Sequence, residues 1–201
     1  HCFVRPCETA VPFEDFLDAL AVPMEARDPR LVHYASHQAS SLSAEYDPLL
    51  ADCASSLEFA DAALGGEPVA ANVWIGEDAA RTQVHADLFC NVYAVVRGTK
   101  RFTLLPPQDV ALLKRKRVPT ASWVDVGRGA LELRLDDPAL HLHWASVDLG
   151  RELPRLEQAV EVTVSAGDVL YLPALWHHAV EQHAGAEAES TVAVNYWYDT
   201  G

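Results

Sequence analysis

The stretch Asn91–Leu105, NVYAVVRGTKRFTLL, sets the fold class. Asn91–Arg97 (NVYAVVR) and Arg101–Leu105 (RFTLL) are short β-branched and aromatic runs, and Gly98-Thr99 makes a tight turn between them. The same texture extends to both sides. Upstream lies Ala70–Gly76 (AANVWIG). Downstream, Val160–Val164 alternates, Ser165–Asp168 (SAGD) turns and Val169–Leu172 (VLYL) resumes. His178–Gln182 and Thr191–Tyr198 (TVAVNYWY) complete the series. About seven strands with short turns and no long helix between them predict a mainly β chain, an antiparallel sandwich or barrel.

Two regions depart from this pattern. Residues 1–69 read as a polar, helical lead-in. Phe13, Phe16, Leu17 and Leu20 recur at i, i+3, i+4, i+7 after Pro12, which predicts an amphipathic helix with proline in its first turn. Asp47-Pro48 starts a second short helix, and Gly65-Gly66 ends the helical stretch 56–64. Residues 70–201 form the barrel. Within them, the stretch of about 106–159 reads as an insertion between barrel halves. It carries Pro106-Pro107, the basic run 114–117 (KRKR) and His141-Leu142-His143. In this setting KRKR reads as a solvated face, with a nuclear signal as its alternative. The histidine pair has metal spacing but no carboxylate motif beside it.

Composition restricts the function classes. Fifteen Lys and Arg against 29 Asp and Glu give a formal charge of −14, the opposite of a nucleic-acid or anionic-membrane footprint. No apolar run reaches the length of a membrane-spanning helix. Cys2, Cys7, Cys53 and Cys90 form no CxxC pair and are too few to staple a chain of 201 residues. Packed thiols in a reducing, cytoplasmic compartment are expected, with a nuclear location left open by KRKR. The acidity suits a basic protein or peptide partner, and a homodimer is compatible with it.

The chemistry concentrates at His85-Ala86-Asp87. In an extended backbone, residues two apart point the same way, so an imidazole and a carboxylate converge here, just before a strand. Taken alone, H-x-D is a surface histidine beside an acid. With His178, which starts another strand, it makes two histidines and one carboxylate, the facial set that suits non-haem Fe(II) and oxygen chemistry. Lys100 alternates with Phe102 and Leu104 and so shares an apolar face, where an ammonium needs an anion. A bound dicarboxylate would supply one. Asn195, inside TVAVNYWY, needs partners for a buried amide.

These residues carry a resemblance. From Ala71 to Asp199 the chain resembles a Jumonji-C (cupin-like) domain of the Fe(II)- and 2-oxoglutarate-dependent oxygenases. NVWIG, TQVHAD, the Asn91-to-Lys100 strand pair, LLPPQD, GDVLYLPALWHHAV and VAVNYWYD stand in family order at family spacing. The similarity is greatest to the Jumonji domain-containing protein 7 type, which are lysyl hydroxylases. Upstream, FVRPCETAVPFEDFLDAL and VHYASHQASSLSAEYDPLL resemble the region before the barrel in that group. The family has a further N-terminal portion, which a chain beginning at His1 is expected to lack.

The resemblance implies a double-stranded β-helix, or jelly roll, with Fe(II) held by His85, Asp87 and His178. The family pattern of proline, two residues, tryptophan, one residue, histidine selects His178 over His177 when read from Pro173 and Trp176. Lys100 would meet the distal carboxylate of 2-oxoglutarate, aided by Thr82 and Tyr34. Asn91 and Asn195 would line the pocket nearer the metal. Ala86 departs from the pattern, since many relatives carry a larger residue there. The implied reaction consumes O2 and 2-oxoglutarate, releases succinate and CO2, and hydroxylates a lysine in a protein. N-methyl-lysine demethylation, a non-catalytic cupin-fold binding module and a metal-dependent peptidase are the competing readings.

Overall fold

The computed structural model describes residues 1–28, 31–127, 130–147, 159–185 and 189–199. Its centre is β13 (Thr191–Tyr198), which pairs antiparallel with β3 (Ala70–Gly76) and with β5 (Cys90–Arg97). β11 (Val169–Leu172) and β2 (Tyr34–Ala35) extend this five-stranded sheet to the order β11-β5-β13-β3-β2. A second sheet has the order β10-β6-β12-β4, from β10 (Val160–Ser165), β6 (Thr99–Leu105), β12 (His177–His183) and β4 (Arg81–His85).

The five-stranded sheet is covered on both sides. One side packs Val73, Ile75, Val92, Val194, Tyr196 and Tyr198 against Leu20, Leu42 and Ala60 of three helices, α1 (Phe13–Ala21), α2 (Ser41–Ala44) and α3 (Glu58–Leu64). The other packs Tyr93, Val95 and Ala193 against Phe102, Leu104, Val164 and Val180 of the second sheet. Burial on both faces is why TVAVNYWY and NVYAVVR read as nearly continuous apolar runs. Val160–Ser165 belongs to an edge strand with one face in solvent, so it alternates. The result is the mainly β, cupin-like double sheet that the sequence predicts.

One local expectation changes character. Gly98-Thr99 does make a tight turn, but β5 and β6 do not pair with each other. The turn carries the chain from one sheet to the other. Gly98 has φ 77°, and a Cβ there would lie 2.7 Å from the His183 carbonyl oxygen, so this corner needs glycine twice over.

The lead-in is less purely helical than its composition predicts. α1 begins at Phe13, with Pro12 flanking it rather than inside its first turn, and Leu20 is its buried residue. Asp47–Ala51 forms a short 3-10 helix with Pro48 in its first turn. Gly65 closes α3 in the left-handed region. However, β2 joins the edge of the main sheet, and β1 (Phe3–Arg5) runs parallel to β7 (Lys116–Asp125) in a third sheet. β8 (Leu131–Leu135) and β9 (His141–Trp144) also pair with β7. β2 and β1, only two and three residues long, are set by partners distant in sequence, and no local periodicity marks them. Residues 128–129 and 148–158 of the 106–159 stretch lie outside the described residues. No helix among the described residues is long and apolar enough to cross a membrane.

Candidate active site

His85 is the last residue of β4. The sequence places the H-x-D pair before a strand, and the structure adds a strand of its own ahead of it. RTQVH hides this because β4 is a largely polar edge. His85 stands directly across from His178 in the β4–β12 ladder, and the register shifts just beyond them, between His178 and Val180. Asp87 follows two residues after the strand. Its carbonyl accepts a hydrogen bond from the Leu175 N–H at 2.8 Å, which ties the turn before β12 to the H-x-D segment. Leu175 takes φ 67° to make that bond, a conformation β-carbon-bearing residues rarely adopt.

The three side chains converge. His85 Nε2 lies 3.8 Å from Asp87 Oδ1, His178 Nε2 lies 3.7 Å from Asp87 Oδ2, and the ligand atoms of all three fall within 4.8 Å of one another. Each imidazole is oriented by the backbone two residues before it. His85 Nδ1 is 2.8 Å from the Gln83 carbonyl oxygen, and His178 Nδ1 is 3.1 Å from that of Trp176. A carbonyl only accepts, so each Nδ1 carries the proton and each Nε2 presents its lone pair to the shared centre. Burial, then neighbouring His85, pushes the His178 pKa down to about 4, so it is neutral at pH 7. Two imidazole nitrogens and a carboxylate held this way fit a divalent transition metal with positions left open. His177 points elsewhere, and its Nδ1 has no hydrogen-bond partner. His141 and His143 lie exposed on β9, outside the cluster.

A cavity of about 450 Å³, counting its open mouth, begins at this trio. Thr82, Tyr34, Asn91 and Asn195 line it, together with Gln38, Trp74 and Tyr93. Lys100 lies behind that lining. It is fully buried, and its Nζ sits 3.3 Å from the Tyr34 hydroxyl and 5.2 Å from the Tyr34 ring centre. It also donates to Gln182 Oε1. Both of these acceptors are uncharged. Burial alone pulls the Lys100 pKa from 10.5 down to about 7.

Two devices hold the walls. Asn195 Oδ1 accepts from Trp74 Nε1 at 2.8 Å and from Asn72 Nδ2 at 3.3 Å, while Asn195 Nδ2 donates to Asn91 Oδ1 at 3.0 Å. Asn72 Oδ1 in turn accepts the backbone N–H groups of Ala39, Ser40 and Ser41. This chain of buried amides runs from the cavity to the loop that carries Gln38. Separately, Glu77 accepts from Arg27 and from the His33 backbone, fixing the segment that delivers Tyr34. Tyr34 then lies opposite Gly76 in the β2–β3 ladder.

A cupin-like domain model matches residues 1–201. The chain belongs to the cupin-like Jumonji-C family. JmjC domain-containing protein E of Dictyostelium discoideum is 37% identical over 98% of this chain and 62% of its own length. The lysine-specific demethylase JMJ32 of Arabidopsis thaliana is 37% identical over 92% of the chain and 57% of its own length. The human bifunctional peptidase and (3S)-lysyl hydroxylase JMJD7 is 36% identical over 98% and 62%. The chain thus spans about three-fifths of the length of these curated relatives. Enzymes of the Jumonji-C family depend in general on Fe(II) and 2-oxoglutarate.

Gln182, Gln38, Asn72 and Tyr93 are site residues that the sequence reading does not single out. Gln182 is the one with a usable signal. It falls at i+4 from His178 on an alternating strand, which puts it on the same face as that candidate metal ligand.

Proposed function

We propose that this chain is a Jumonji-C oxygenase that uses Fe(II), 2-oxoglutarate and O2 to hydroxylate a lysine in a protein substrate, releasing succinate and CO2. One observation carries the reading: three candidate metal ligands lie at one end of a cavity, and a buried lysine whose acceptors among the described residues are uncharged lies behind its wall. In this reading His85, Asp87 and His178 hold the iron. Lys100, Tyr34 and Thr82 take the distal carboxylate of 2-oxoglutarate, and Asn91 and Asn195 line the end nearer the metal. Bound iron and 2-oxoglutarate supply the oxygen activation that places one oxygen atom on an aliphatic C–H.

The protein's part is positioning and charge. The backbone carbonyls of Gln83 and Trp176 aim both imidazoles before any metal arrives. Lys100 can hold or release its proton near neutral pH, and an arriving carboxylate draws it into the charged form. Tyr34 and Tyr93, whose hydroxyl pKa values burial raises, stay protonated beside it. Lysine as target follows the relative named a lysyl hydroxylase, and the −14 charge of the chain suits a cationic peptide. A cytoplasmic setting agrees with four cysteines of which none forms a disulfide.

A second reading, N-methyl-lysine demethylation, draws on the relative named a demethylase. The test is mass analysis of basic lysine peptides incubated with the protein, Fe(II), ascorbate and 2-oxoglutarate. The expected result is one added oxygen per peptide and a matching amount of succinate. Formaldehyde from a methylated peptide would favour demethylation, and peptide cleavage without succinate would favour a peptidase. Partner binding unchanged by Asp87→Ala, with no turnover in either protein, would leave a binding module.

A further inference from the structure

Strand β8, LELRL, is the outer strand of the third sheet and pairs with β7 alone among the described residues. All five of its residues are exposed, with Leu131 at 38%, Leu133 at 43% and Leu135 at 66%. Trp123, opposite Leu133 on β7, is 41% exposed on the same face. An exposed edge with one apolar face is open to pairing with another strand unless something blocks it, and β8 contains no proline, lysine or bulge that would.

The backbone of that edge is turned outward at the three leucines. The Val126 N–H donates to the Ala130 carbonyl at 2.9 Å, and the Asp136 N–H donates to the Thr120 carbonyl at 3.1 Å. Both bonded pairs involve even-numbered residues. In an antiparallel ladder bonded and non-bonded pairs alternate, so Glu132 and Arg134 also face β7 with their backbone groups. The N–H and C=O groups of Leu131, Leu133 and Leu135 point away from β7, toward solvent.

The side chains read the same in both directions about Leu133. Glu132 and Arg134 flank it at equal distance, on the face opposite the leucines, 2.9 Å from each other and more than half exposed. If a second copy is laid antiparallel with Leu133 on the two-fold axis, Leu131 meets the partner's Leu135. Glu132 then meets the partner's Arg134, and Arg134 meets the partner's Glu132. Every outward backbone group gains a partner, and every charge faces its opposite. We infer that β8 is a self-complementary edge through which two copies of this chain form an isologous dimer, joining their third sheets into one. The Trp123–Leu133 row continues across the axis as a single apolar stripe, and the four charges close into a cluster on the other face.

Charge reversal tests this directly. Glu132→Arg makes the edge all basic and Arg134→Glu makes it all acidic, so each alone sets like charges opposite one another. By sedimentation velocity, wild type is expected to be a dimer at micromolar concentration. Each variant alone is expected to dissociate with a constant at least about tenfold higher. Mixing the two variants is expected to restore a dimer, now a heterodimer, which no folding defect could produce. A monomeric wild type, dimers indifferent to both reversals, or folded variants that stay monomeric when mixed would each overturn the inference. Amide exchange of the wild type reads the same edge without a variant. Protection at Leu131, Leu133 and Leu135 that rises with protein concentration supports it, and fast exchange at all concentrations refutes it.

Discussion

Lys100 stands directly across from Gln182 in the β6–β12 ladder, and its ammonium donates to the Gln182 side-chain oxygen. The orientation of that amide is fixed from its other end, where Gln182 Nε2 donates to the Glu77 carbonyl at 2.7 Å. Gln182 therefore shows Lys100 an acceptor and never a charge, so the lysine is held in place with no anionic partner among the described residues. That is the condition in which an arriving carboxylate gains most. Lys100→Met is expected to weaken 2-oxoglutarate binding by roughly 10- to 100-fold, the loss of one charge-assisted hydrogen bond. Gln182→Leu should weaken it less, because the lysine remains. Isothermal titration with 2-oxoglutarate measures both.

The same lysine predicts a pH dependence. Its pKa falls from 10.5 unfolded to about 7 in the ligand-free fold. Between these values the unfolded chain binds more protons than the folded one, so this group makes stability rise with pH from about 7 toward 10.5. Below about 7 both states are protonated and the cost of the buried charge is present in full. The slope is on the order of 1 kcal/mol per pH unit at most. Denaturation midpoints of wild type minus those of Lys100→Met should show it. 2-Oxoglutarate should act in the opposite sense, binding with proton uptake and losing up to about tenfold in affinity per pH unit above 7.

Much of this site was legible because its parts are local. The H-x-D pair, the apolar alternation around Lys100 and the amide inside TVAVNYWY each sit within one element, where period-2 geometry decides which side chains converge. Ala70–Gly76 and Thr191–Tyr198 coincide with their strands because burial on both faces leaves an unmistakable composition, and Val169–Leu172 coincides with its edge strand through its β-branched and aromatic run. What escaped is what depends on a distant partner. β4 is polar because it is an edge, β1 and β2 are too short to carry a period, and the corner at Gly98 looks locally like a hairpin. Asn72 belongs to the same class, since nothing near it in sequence shows that residues 39–41 fold onto its side chain.

Asn72 accepts three backbone N–H groups of that loop, at 3.1, 3.0 and 3.4 Å. Ala39 and Ser40 take φ 125° and 59°, strained conformations that persist only where the surroundings impose them. Asn72→Ala removes the acceptor and the partner of Asn195 together. The expected cost is about 2–4 kcal/mol, seen as a Tm drop of roughly 5–15 °C in thermal denaturation. Because Gln38 lines the cavity at the start of this loop, 2-oxoglutarate affinity should fall as well.

Gly76 is where Tyr34 gains its position. A Cβ there would lie 2.4 Å from Tyr34 Cδ2 and 2.8 Å from Gln182 Nε2, so alanine has to displace both neighbours of Lys100. Gly76→Ala is expected to lower 2-oxoglutarate affinity at least about tenfold. Gly66→Ala, with nothing within 4 Å of its added carbon, should leave binding unchanged. Titration of the two variants side by side separates a packing effect at the pocket from a general loss of glycine.

The histidine pair at the start of β12 gives the sharpest test of the metal centre. His178 faces Asp87 across 3.7 Å, while its neighbour His177, on an adjacent position of the strand, points to the other face. His178→Ala and Asp87→Ala should each reduce Fe(II) or Mn(II) affinity by more than about 100-fold, because changes in the supporting shell alone cost 10- to 100-fold. His177→Ala should keep metal affinity within a few-fold of wild type. Thermal denaturation with and without added Mn(II) reads this independently of turnover. Wild type and His177→Ala should gain Tm with the metal and lose the gain on chelation, and His178→Ala should not respond. Metal stabilisation that follows His177 instead would place the third ligand on the wrong face of β12 and overturn the assignment.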